Sequence, residues 1–246
     1  MKQKKIIPLF LCIILFSCKK NDTTVSCNLS LFPTTVGNSW IYKQTIQINY
    51  DNLRDTVLYD TIHLEVIKDT IYDGKTMQKI ECFSNKNPYK SFSLCINENS
   101  AFTQYMSEPG TISNVLRIKN LPFSNVNPLS NDNKILIPNY DIFTILKFDS
   151  SSWTYADNDN VKIEKKNVGE ENITTSLSSF QCCKYEFNYL RKFFPQSIQI
   201  TEYFSNKGLI KKIIDITNTE FTDNAGNFID TGDSYNTIEL IDYTIN

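Results

Sequence analysis

SWIYKQTIQINY, residues 39–50, alternates between two kinds of side chain. Trp40, Tyr42, Ile46, Ile48 and Tyr50 fall on one parity, while Lys43, Thr45, Gln47 and Asn49 fall on the other. Successive residues of a strand point to opposite faces of a sheet, so this pattern predicts a strand with one buried face and one wet face. The run that follows repeats it. Leu58, Ile62, Leu64 and Val66 take the inward parity, with Tyr59, Thr61, His63 and Glu65 outward. Asp51-Asn52 lies between the two runs as turn chemistry, so the pair reads as an antiparallel hairpin.

Outward from this hairpin the same grammar continues. Strands are expected over 75–84, 91–97, 100–106, 111–118, 140–149, 160–167, 179–190, 197–205, 208–217 and 236–245. Turn formers punctuate them, as in Asp73-Gly74, Asn85-Lys86-Asn87-Pro88, Pro109-Gly110, Asn206-Lys207-Gly208 and Asn224-Ala225-Gly226. No long stretch repeats every 3.6 residues, and the one helical turn expected lies around 188–194. Aromatic and β-branched runs between Asn, Asp, Ser and Gly clusters define an all-β or mainly β chain. Residues 120–133, NLPFSNVNPLSNDN, form a polar loop with two prolines that divides the chain near its middle.

Both tryptophans stand in the phrase Ser-Trp-x-Tyr, at 39–42 and 152–155. Each is preceded by a phenylalanine, Phe32 or Phe148, and followed later by a cysteine beside an aromatic residue. A large ring with a polar N–H suits the rim of a core. Two readings stay open: a structural repeat in which each tryptophan opens a sheet segment, and coincidence.

The amino terminus carries a different signal. Lys2, Lys4 and Lys5 precede an apolar stretch, Ile6 to Phe16, broken only by Pro8, and then Leu15-Phe16-Ser17-Cys18. This predicts a secretory signal over 1–17, too short for a permanent span of about 20 apolar residues. The last four residues resemble the lipobox of bacterial lipoproteins, although Phe16 departs from the small residue often found there. That resemblance implies lipidation at Cys18 and a membrane partner held through the N-terminal lipid. Multiple acyl chains anchor firmly where one does not. Lys19-Lys20, with no aspartate directly after Cys18, implies the outer membrane by the sorting pattern of such proteins. Residues 18–30 then read as a polar tether and 31–246 as one β domain.

Removing residues 1–17 leaves 229 residues and moves the net charge from −2 to −5. No basic stripe is present, so a nucleic-acid partner is not expected. Seven cysteines occur in the chain, five of them beyond Cys18: Cys27, Cys82, Cys95, Cys182 and Cys183. An exported chain meets an oxidising compartment, and an odd number leaves at least one thiol unpaired within the chain. A hairpin centred near 88 would set Cys82 opposite Cys95, so two readings stay open for them: a disulfide, and two buried free thiols. Cys182 and Cys183 are adjacent, so only one is expected in the core. With a single histidine and no Cys-x-x-Cys spacing, neither metal nor cofactor is expected.

Leu31-Phe32-Pro33-x-x-Val36-Gly37-Asn38-Ser39-Trp40-x-Tyr42 resembles the opening phrase of a broad group of uncharacterised bacterial envelope lipoproteins. Ser179 to Tyr185 and Glu202 to Lys211 are similar to later phrases of that group. The resemblance implies a strongly bent antiparallel sheet, like the half-barrels of periplasmic lipoprotein carriers. It implies no activity.

No nucleophile elbow, phosphate loop or zinc-protease motif is present. His63 sits on the polar parity of its strand, and Glu170-Glu171 and Asp157/Asp159 lie in turn-like segments. Asp-Thr followed by Val or Ile recurs at 55–57, 60–62 and 69–71, which resembles an O-glycosylation pattern with Thr56, Thr61 and Thr70 as acceptors; β-propensity alone also accounts for it. The expected function is a non-catalytic binding or interaction module taking an apolar ligand or an envelope protein. The alternative is an envelope hydrolase built from dispersed residues.

Overall fold

The structure, a computed structural model, describes residues 29, 31–72, 74–86, 90–106, 142–157, 162–191, 197–222 and 227–246. The expected hairpin is its first element: β1 (Ser39–Tyr50) against β2 (Thr56–Tyr72), with Trp40 opposite Leu64 and Ile46 opposite Leu58. There follow β3 (Lys75–Ser84), β4 (Ser91–Glu98), β5 (Ala101–Met106), β6 (Ile142–Lys147) and β7 (Ser152–Asp157). The second half comprises β8 (Lys162–Thr174), β9 (Ser179–Arg191), β10 (Ser197–Ser205), β11 (Gly208–Thr222) and β12 (Phe228–Thr244). All the ladders are antiparallel, and no helix occurs among the described residues.

The order β6-β5-β4-β3-β2-β1-β12-β11-β10-β9-β8-β7 makes one twelve-stranded up-and-down sheet. Each strand pairs with its sequence neighbour and β12 pairs with β1, so the sheet curls until its two edges, β6 and β7, meet. Most of a barrel's circumference is thus laddered, and the β6/β7 seam is not. Curvature has a local cause. Bulges interrupt the register at Ile41/Tyr42, Val66/Lys68, Asn167/Gly169, Tyr203/Phe204 and Ile216/Thr219. Each adds a residue to one strand and tightens the local twist.

Several expectations need correction. The region around 188–194 is strand as far as Arg191, because Phe187 and Tyr189 continue the period-two pairing with Lys165 and Ile163. Strands β8, β11 and β12 outrun the expected 160–167, 208–217 and 236–245. Bulges let each one cross polar residues without leaving the sheet. Ser152–Asp157, expected only as the opening of a segment, is a strand of its own. The expected strand 111–118 and the loop 120–133 lie outside the described residues.

The inward parity is filled. Trp40, Tyr42, Ile62, Leu64, Val66, Phe102, Phe204, Leu209, Ile210 and Leu240 are all at most 2% exposed in one continuous core. A smaller cluster of Ile46, Ile48 and Phe221 occupies the far end of β1. Between them lies a polar layer in which Gln44 donates to Asn236 Oδ1 at 3.3 Å. The segment before β1 is part of this interior. Phe32 stacks on Phe102 of β5 at 4.2 Å and lies 5.6 Å from Trp40 and 6.3 Å from Phe204 of β10. Asn97 holds the segment by accepting from Phe32 N–H (3.1 Å) and donating to Phe32 O (2.8 Å) and Thr34 Oγ1 (3.0 Å). Leu29, assigned to the tether on sequence, is buried there too.

The two tryptophans occupy matching places. Trp40 is the second residue of β1 and donates its indole N–H to Lys207 O at 2.6 Å; Trp153 is the second residue of β7 and donates to Thr144 O at 2.9 Å. Gly208 makes room for the first. Its φ of 103° suits glycine, and a Cβ there would lie 2.9 Å from Trp40 Nε1. At the opposite end of the barrel Asp230 pins the β1–β2 turn, accepting from Asn52 N–H (3.0 Å), Asn52 Nδ2 (2.9 Å) and Leu53 N–H (2.9 Å).

Candidate functional site

Three strands of the second half carry a charged residue on their inward parity. β8 runs Ile163, Lys165, Asn167; β10 runs Ile198, Ile200, Glu202, Phe204; β11 runs Ile210, Lys212, Ile214, Ile216. Lys165, Glu202 and Lys212 are each 0% exposed. Glu202 stands directly opposite Lys212 across β10–β11 and opposite Tyr185 across β9–β10. Its Oε1 lies 2.9 Å from Lys212 Nζ, and its Oε2 accepts from Lys165 Nζ. Lys165 reaches past β9 on its long apolar stem and brings its ammonium among four rings. The distances from Nζ to ring centroids are 4.9 Å for Phe187, 5.1 Å for Phe204, 5.2 Å for Tyr185 and 5.7 Å for Trp153.

The same ammonium closes the barrel. Lys165 Nζ donates to Ile145 O of β6 at 2.8 Å, beside the Trp153 bond to Thr144 O. Where a ladder would join β6 to β7, two side chains from β7 and β8 therefore satisfy consecutive β6 carbonyls. Buried carbonyls need such partners, and these two tie the closure of the seam to the charge state of the core.

Electrostatics follow from burial. Desolvation alone would raise the Glu202 carboxyl, but the ammonium groups of Lys165 and Lys212 outweigh it and hold the group below the ordinary carboxylate range. Burial lowers Lys165 to about 8, against the opposing pull of Glu202. Tyr185 is pushed up, first by burial and then by the Glu202 charge. A lysine lowered from 10.5 to about 8 is less protonated in the fold than in the unfolded chain between those values. Stability therefore rises with pH across that interval. The gain is expected from pH 8 to about 10, above which the raised tyrosines lose their contribution. Urea titrations of the native chain and Lys165→Met over this range check it; an equal slope in both would assign the effect to another group.

The residues singled out on sequence are dispersed. His63 is half-buried on the outward face of β2, stacked on Phe83 at 4.6 Å with the rings parallel to 1°. Thr56, Thr61 and Thr70 are half-buried along β2. Cys82 and Cys95 are buried thiols that do not face one another: Cys82 is opposite Ser91 and Cys95 opposite Gln78. The β3–β4 register is centred two residues earlier than the sequence suggested, so the bridge does not form. Cys182 and Cys183 are both buried, although only one was expected in the core, and Cys183 is disulfide-bonded. Cys18 lies outside the described residues. Among the described residues no group of three or more His, Cys, Asp or Glu is placed to hold a metal ion.

A nearly closed, twelve-stranded antiparallel barrel with a buried Lys–Glu–Lys triad at its seam is the class that fold and site define. No protein-family profile matches the chain, and no curated protein is significantly similar to it. Among solved structures it is similar to a candidate lipoprotein from Parabacteroides distasonis, at 16% identity over 85% of this chain and 97% of the other, with a TM-score of 0.37. A candidate exported protein with a YmcC-like fold from Bacteroides fragilis is 14% identical over 87% and 98%, with a TM-score of 0.38. A DUF1329 family protein from Desulfovibrio piger is 15% identical over 86% and 87%, with a TM-score of 0.26. Overlaps this distant carry no function across to this chain.

Proposed function

We propose that the protein is an exported lipoprotein of the cell envelope, anchored through Cys18 to the outer membrane, whose barrel binds an apolar ligand or envelope partner without chemistry. The observation that carries the binding half of this reading is the seam. Among the described residues, an interior lined by Trp153, Tyr185, Phe187 and Phe204 is closed at β6/β7 by the side-chain hydrogen bonds of Trp153 and Lys165, where every other neighbouring pair of strands is laddered. Side chains exchange partners faster and at lower cost than a ladder unzips, so this is the natural entry to the aromatic interior. Support for export is the LFSC phrase together with the disulfide at Cys183, which suits an oxidising compartment. A hydrolase would need a nucleophile and base in reach; His63 instead stacks on Phe83 on the outward face, away from the buried triad.

Two measurements test the reading. Cys18→Ser is expected to abolish incorporation of a labelled fatty acid and release the protein from membranes; survival of both would overturn the anchor. A fluorescent long-chain fatty acid is expected to bind the purified chain and to associate faster with Trp153→Phe, in which one seam bond is missing. Saturable binding absent from both proteins would overturn the apolar-ligand reading.

A further inference from the structure

We infer that the outer face of the barrel where β2 and β12 begin is a docking surface for a protein whose contact patch has an apolar centre and a rim of lysine and arginine. Large apolar side chains crowd this end in the open. Leu53 of the β1–β2 turn is 52% exposed, Val57 and Tyr59 at the start of β2 are 47% and 57%, and Phe228, Ile229 and Tyr235 of β12 are 63%, 41% and 41%. The register makes them neighbours. Gln47 of β1 stands between Val57 and Tyr235, and Thr45 is opposite Tyr59 one step along the same outward face. The turn is held in place: the Asp230 carboxylate, which follows Phe228-Ile229 in the chain, accepts from the N–H groups of Asn52 and Leu53 at 3.0 and 2.9 Å and keeps Leu53 out in water. Contiguous exposed apolar surface marks a contact site, and a preorganised one loses little freedom on binding.

Charge selects the partner. Asp55 lies between Leu53 and Val57 in the chain, and Asp233 and Asp215 are opposite Asn49 and Tyr235. Glu220 is opposite Thr231, whose carbonyl accepts from Asp51 N–H at 2.9 Å. Against these five carboxylates stand Arg54 and Lys43, whose Nζ lies 5.5 Å over the Tyr59 ring. Asp215 is raised first by its burial and then by the Asp233 charge, a repulsion that cations on a partner would relieve. An isologous contact between two copies would set these acids against their own images. Segments that lie on lipid carry lysine and arginine beside their apolar residues, the reverse of this rim. A basic-rimmed protein surface is what fits, since opposite charge around an apolar centre steers approach and rejects wrong partners.

β1 and β12 are the middle strands of the sheet order, furthest from the β6/β7 seam. The surface is therefore separate from the seam and needs no anchor at Cys18, so its failure leaves the apolar-ligand reading to the fatty-acid measurement. Photo-crosslinking in the cells that make the protein tests it, with p-benzoylphenylalanine placed at Tyr59 or Tyr235. The control position is Ile71, 79% exposed at the opposite end of β2. The expected result is an adduct with a different protein from both test positions and none from Ile71, the joined peptide lying in a lysine- and arginine-rich surface of the partner. Asp55→Lys with Glu220→Lys is expected to lower its yield about tenfold by setting like charge against like. Both side chains are exposed and take part in no ion pair or hydrogen bond of the described residues, so the barrel keeps its contacts. Purified Cys18→Ser protein supplies the other arms: flotation with vesicles of phosphatidylethanolamine and phosphatidylglycerol, or a dimer dispersed by Phe228→Asp, would overturn the inference. So would an adduct whose yield survives the charge reversal, or no adduct from either test position.

Discussion

Glu202→Ala is expected to destabilise the protein by about 3–5 kcal/mol, enough to remove a large share of the stability of an ordinary domain. The carboxylate is paired with two ammonium groups that, like itself, are fully buried. Removing it strands Lys165 and Lys212 in an apolar interior, where each must lose its proton or draw in water. The cation–π contacts to Phe187 and Phe204 soften this for Lys165, by about 2 kcal/mol. Glu202→Gln keeps an acceptor oxygen and fills the same volume, so its loss is expected to be smaller. Urea denaturation of the three proteins at pH 7 decides the matter. A loss under about 1 kcal/mol for Glu202→Ala would mean that the triad does not hold the barrel together.

Gly232→Ala is the second large effect, about 3 kcal/mol, and it acts on the backbone. Gly232 lies opposite Tyr50 in the β1–β12 ladder, which joins the two six-stranded halves of the barrel. Its φ is 156°, and a Cβ would fall 2.1 Å from Asn49 O and 3.0 Å from the Tyr50 Cα. Both obstacles are main chain, so no rotamer change relieves them and the strands must part locally. Gly74 is the control: its φ is 71°, yet nothing lies within 4 Å of a Cβ there. Gly74→Ala therefore meets only local strain of about 1 kcal/mol. Thermal unfolding of both variants compares them, and equal shifts in Tm would dismiss the steric account.

The Lys–Glu–Lys triad is half legible in the sequence. Ile198, Ile200, Glu202 and Phe204 share one parity, as do Ile210, Lys212, Ile214 and Ile216, so each strand visibly sends a charge inward. The pairing between them is not legible. Ser205 opposite Gly208 is a tight turn, and a regular ladder from it would set Glu202 against Lys211. The bulge at Tyr203/Phe204 shifts the register by one residue and brings Lys212 into place, while Lys211 goes outward to Glu239. A single extra residue exchanges the faces.

The sequence by itself determined the all-β class and the β1–β2 hairpin with its buried face. These depend on period two and on turn chemistry, which are local. Tertiary structure alone decided the nearly complete closure, the unladdered seam, the β3–β4 register that separates Cys82 from Cys95, and the arrival of Phe32 between Phe102 and Phe204. The closure and the arrival of Phe32 are set by contacts between residues scores of positions apart, and the β3–β4 register by how those strands seat in the shared sheet. The energy that fixes them is the burial of one shared core, which no local stretch of chain contains.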